Sequence, residues 1–141
     1  MNISAEIDTK EVQRLLDKVG QQLPRDIRKA LSATAQQGIY LILDRTERGV
    51  GYRGKFPNYS AQYAKFRKKN GRQTATVDFN YSGKMLSSII SQVKGDEATI
   101  KFNRATEARK GAFLNQKRPW FGFNQTEKNQ ITHFFYKRLM K

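Results

Sequence analysis

A chain of 141 residues with 27 lysines and arginines, 12 acids and a net charge of +15 has room for one domain and one modest core. It has no cysteine, which excludes disulfides and thiolate metal sites, and no apolar run approaches the roughly 20 residues of a spanning helix. A hydrophobic fraction of 38% and a mean hydropathy of −0.76 are low for a self-sufficient domain, so part of the surface is expected to be loop or a face that meets other subunits. The first residues, Met1-Asn2-Ile3-Ser4-Ala5-Glu6, carry neither a basic nor an apolar leader segment, and the expectation is a soluble protein made in a cytoplasm, with no membrane partner.

Asp8 with Glu11 reads as a capping box, followed by Val12, Leu15, Leu16 and Val19 at helical spacing and by Gly20 as a stop. A second helix is predicted from Pro24 to about Arg48, with an apolar stripe of Ile27, Leu31, Ala35, Ile39 or Gly38, and Ile42. Ala30, Ala33, Ala35 and Gly38 are small enough for close packing. Residues 49–58 contain three glycines and Pro57 and no periodicity, which predicts a flexible loop or extended arm at about 48–58. Ser60 caps a short helix with Tyr63, Ala64 and Phe66 or Arg67 inward, and Lys65, Lys68 and Lys69 outward.

Residues 75–80 alternate and read as a short strand, and Ser82-Gly83 then turns the chain into one helical turn carrying Met85 and Leu86. A strand from Ile89 to Lys94, a tip at Gly95-Asp96-Glu97 and a return from Ala98 to Asn103 make a hairpin, with Ile100 and Phe102 on one face. Residues 104–117 are weakly helical, with Ala105, Ala108, Ala112, Phe113 and Leu114 as the expected buried set. Asn124 with Glu127 makes a last capping box for an amphipathic helix through Ile131, Phe134, Phe135, Arg138 and Leu139. This order predicts one α+β domain over residues 1–141: N-terminal helices, a small antiparallel sheet with a hairpin, and a C-terminal helix packed on the sheet.

The charge is concentrated. Residues 1–44 balance to zero, while residues 45–72 carry nine basic side chains against Glu47 alone. Such a field attracts nucleic acid or an acidic protein surface. Lys65, Arg67, Lys68, Lys69 and Arg72 are the expected acidic-partner or DNA-facing residues, although the same helix also reads as a solvated face whose aromatics point into the core. Arg48, Tyr52, Arg53, Lys55 and Phe56 on the arm are the better binding residues, because the glycines keep the arm from packing alone. Trp120 is a further interface residue if it faces outward; the other reading buries both Trp120 and Phe121 under the last helix.

Asp44 and Glu47 lie one turn apart, yet a divalent-metal site needs further ligands, and Arg45 and Arg48 are their simpler partners. His133, the only histidine, has no serine or acid arranged with it. No catalytic residue, metal or cofactor is expected.

Two passages are the most specific in the chain: Tyr81-Ser82-Gly83-Lys84-Met85-Leu86-Ser87-Ser88-Ile89 and Arg118-Pro119-Trp120-Phe121-Gly122-Phe123. With the long helix, the glycine-rich loop ending in Phe56-Pro57, Tyr59-Ser60, Tyr63-Ala64 and Gly111, their order from about residue 8 to 139 resembles the neck and tail-completion proteins of tailed bacteriophages. That group includes the virion-morphogenesis proteins of Mu-like phages. The resemblance implies a non-enzymatic virion protein at the head-to-tail junction, assembled in the host bacterial cytoplasm. It implies a homo-oligomeric ring, six-fold with a dodecamer as the other form, whose partners are the head connector or stopper and the tail tube or terminator, and which can contact passing DNA. The alternative from the residues themselves is a nucleic-acid-binding module using residues 45–72.

Overall fold

The computed structural model describes residues 4–6, 14, 24–80 and 82–140. The helix expected over residues 8–20 lies outside the described residues apart from Arg14, and so does Tyr81. The elements are β1 (Ser4–Glu6), α1 (Pro24–Glu47), β2 (Val50–Gly51), β3 (Gly54–Lys55), α2 (Ala61–Lys69), α3 (Lys84–Ser87), β4 (Ile89–Lys94), β5 (Glu97–Phe102), α4 (Ala105–Lys117) and α5 (Gln125–Leu139). The fold is α+β, with an antiparallel three-stranded sheet in the order β1-β5-β4 and a two-stranded ribbon of β2 and β3.

The hairpin forms where the turn chemistry places it. Lys94 pairs with Glu97 and Ile89 with Phe102, leaving Gly95-Asp96 as a two-residue turn. Gly95 has φ +59°, the sign that a type II′ turn requires at its first central residue. Along β5, Ala98, Ile100 and Phe102 are buried and alternate with half-exposed Thr99 and Lys101, so one face of the sheet is covered.

Helix α1 covers that face. Its stripe of Leu31, Ala35, Ile39 and Ile42 is buried, as the 3.6-residue period predicts. Gly38 sets the approach: a Cβ there would come within 2.9 Å of Ile100 Cδ1 and 3.0 Å of the Phe123 ring. Helix α5 begins at the predicted capping box, in which Asn124 Oδ1 accepts from Glu127 N at 2.8 Å and Glu127 Oε1 accepts from Asn124 N at 3.1 Å. It lies along α1 and reaches the sheet through that helix, and Ile131 and Phe135 are its buried residues.

Three local expectations are corrected. Residues 75–80 form no strand: Gln73 Nε2 donates to Thr76 O at 2.7 Å and to Asp78 Oδ2 at 3.0 Å, and Asp78 Oδ1 accepts from Asn80 N at 3.0 Å. These side-chain bonds draw the backbone away from a ladder, and Phe79 takes φ +59°. Residues 49–58 are a hairpin instead of an extended arm: Val50 pairs with Lys55, and Phe56 N donates to Gly49 O at 2.9 Å. Gly51 lies so close to the turn at Pro119 that a Cβ would fall 1.9 Å from the Pro119 carbonyl oxygen. In α4 the buried residues are Glu107, Ala108 and Gly111, while Ala105 and Phe113 are exposed.

Candidate functional site

The two specific passages meet in the core. Trp120 has 0% exposure and stands edge-on to Phe79 at 5.4 Å and to Phe121 at 5.4 Å, with Phe102 at 6.0 Å. Its indole Nε1 donates to Gly111 O at 3.2 Å. A Cβ on Gly111 would approach Phe102 Cζ to 2.7 Å, so that glycine lets α4 seat on the aromatic cluster. Asn115 Oδ1 accepts from both Trp120 N and Phe121 N at 3.0 Å, which turns the chain directly after α4. Trp120 is therefore a core residue and no interface anchor, and Phe121 is buried beside it. Phe56, also expected at an interface, is buried and stacks on Phe79 at 4.9 Å.

Three arginines of this basic chain are internal. Arg45 donates to Trp120 O at 2.9 Å and to Gly122 O, and its Nε pairs with Glu127 Oε2 at 3.0 Å. It thus ties α1, the Trp120 turn and the α5 cap together. Burial lowers the Arg45 pKa from its ordinary value, and the Glu127 carboxylate opposes that shift. Arg118 donates from Nε to Pro57 O at 3.2 Å and from Nη2 to Asn58 O at 3.1 Å, holding the chain after the ribbon. Arg67, expected to face a partner, is 2% exposed. It donates to Gln73 O at 2.9 Å and Asn80 O at 3.4 Å, approaches Asp78 Oδ1 at 3.7 Å and covers the Tyr59 ring at 4.8 Å. The loop carbonyls after α2 need a donor, and this arginine supplies it.

The other expected residues do lie outside. Arg48, Arg53 and Lys55 are exposed and Tyr52 is half-buried, with the Arg53 guanidinium 5.6 Å from the Tyr52 ring centre. Arg48 pairs with Asp44 at 3.0 Å, the partnership expected of that carboxylate. Lys65, Lys68, Lys69 and Arg72 are exposed on and just after α2. His133 is exposed on α5. Among the described residues no group of three metal-ligating side chains converges.

A cleft of about 490 Å³ opens between α2 and α4, and no sequence expectation placed a site there. Tyr59, Tyr63, Phe79, Met85, Phe113 and Leu114 supply its apolar surface, and Lys110, Lys117 and Arg118 its positive charge. Tyr63 is 39% exposed and Phe113 75% exposed. Glu107 is buried in the wall; its Oε1 accepts from Lys110 Nζ at 3.3 Å, while its Oε2 has no hydrogen-bond partner. Burial raises the Tyr59 phenol above its ordinary pKa, against the opposing pull of the Arg67 guanidinium. One signal for this cleft was present in the sequence. With Gly111 on the packing face of α4, Phe113 falls about 200° around the helix and must point outward. Neither a protein-family model, nor a characterised protein, nor a solved structure matches this chain.

Proposed function

We propose that the protein is a structural subunit of the head-to-tail junction of a tailed phage, forming a closed ring that joins the connector to the tail or terminates the tail tube. The observation that carries this reading is the convergence of the motifs behind the resemblance. Phe56-Pro57, the helical turn at Met85, Gly111 and residues 118–123 lie far apart in sequence and share one core, as parts of a single architectural device do. Around that core the surface is suited to association. Among the described residues β4 pairs with β5 alone and forms an edge of the sheet. Exposed Tyr63 and Phe113 and a net charge of +15 suit an acidic protein neighbour.

Native mass measurement and negative-stain imaging, with and without connector protein, test the proposal. Closed rings of one stoichiometry are expected; a protein that stays monomeric at high concentration with connector present sinks it. The second reading, a nucleic-acid-binding module, is favoured by one observation: Lys65, Lys68 and Lys69 are all exposed on one short helix that contains no acid. Its mark is salt-dependent binding to random DNA that is lost when these three lysines are replaced by glutamate.

A further inference from the structure

The cleft between α2 and α4 has features that a packed seam between helices does not need. Phe113 places a phenyl ring in solvent at its rim, and Tyr63 adds a second half-open ring on the opposite helix. Lys117 and Lys110 set exposed positive charge beside these rings, and Lys110 also pairs with Glu107. In the cleft wall Glu107 is buried, and its Oε1 accepts from Lys110 Nζ at 3.3 Å.

We propose that this cleft binds a short segment of a partner protein, with an aromatic or aliphatic anchor flanked by carboxylates. The anchor lies between Tyr63 and Phe113, and the flanking carboxylates meet the exposed ammonium groups of Lys117 and Lys110. The inference rests on the assembly reading in taking the occupant to be protein.

The test uses fluorescence anisotropy of the full chain with a labelled peptide Glu-Asp-Phe-Leu-Asp-Glu. The controls are Lys-Lys-Phe-Leu-Lys-Lys and single-stranded oligothymidylate. The acidic peptide is expected to bind with a salt-sensitive affinity, weakened about tenfold or more by Phe113→Ser and by Lys117→Glu. Lys128→Glu, an equal charge change on α5 outside the cleft, is expected to leave the affinity within about twofold. Both cleft residues are exposed, so the variants keep their fold, which circular dichroism verifies. Absence of binding, equal binding of the lysine peptide, or indifference to Phe113→Ser overturns the proposal. Displacement of the peptide by oligothymidylate with the same Phe113 dependence assigns the cleft to nucleic acid and overturns it as well. Ring formation is scored separately: rings without peptide binding sink the cleft alone, and peptide binding without rings sinks the ring alone.

Discussion

The Trp120 turn and the α2–α4 cleft are made from the same kinds of side chain and serve opposite ends. At the turn, aromatic rings close on one another, and Arg45 and Arg118 spend their donors on loop carbonyls and on Glu127. At the cleft, Tyr63 and Phe113 are open to solvent and Lys117 is exposed. The difference lies in whether backbone acceptors reach the cation. Where they do, a positive charge becomes a clamp; where they do not, it is available to a partner. Two of the nine basic residues at 45–72, Arg45 and Arg67, are clamps, so that segment presents less outward charge than its composition suggests.

The largest effect should come from breaking the turn. Arg45→Met strands the Glu127 carboxylate and frees the Trp120 and Gly122 carbonyls, a loss of about 3–5 kcal/mol for a buried pair cut on one side. Lys117→Met on the cleft rim should stay within about 0.5 kcal/mol. Urea unfolding of both variants measures the contrast, and equal losses would erase the distinction between the two regions. Gly111→Ala comes next. Its methyl group would press on Phe102 and Trp120, and overpacking of this kind costs about 1–3 kcal/mol. Asn124→Ala removes one half of the α5 capping box and should cost about 1 kcal/mol, read by the same unfolding curves.

These contrasts follow how far each feature reaches along the chain. The capping box, the α1 stripe and the β4–β5 hairpin depend on residues within a turn or a strand pair, and periodicity alone revealed them. The burial of Trp120 depends on Arg45, 75 residues away, and on Gly111, so the sequence left its orientation open. The alternation at residues 75–80 suggested a strand, but Gln73, Asp78 and Arg67 claim those backbone groups with their side chains. Hydrophobicity alone places Phe113 in the core and hides the cleft, because the packing position is Gly111, a residue with no side chain to announce it.

Tyr59 packs against the core cluster and also lines the cleft, which makes it the finest probe of the comparison. Its ring lies under the Arg67 guanidinium and also lines the cleft. Because burial raises its pKa, the folded chain holds the phenolic proton more tightly than the unfolded chain does. That contribution to stability is fully present below the ordinary tyrosine value of about 10 and is lost as pH rises from there through the folded value. Tyr59→Phe keeps the ring and removes the titration. At neutral pH its stability should match the parent within about 0.5 kcal/mol, while above about pH 10 it should decline less steeply than the parent. Urea unfolding at a series of alkaline pH values reads the difference directly. A shallower decline in Tyr59→Phe places the hydroxyl with the closed core; an identical decline places it with the open cleft, where water already reaches it.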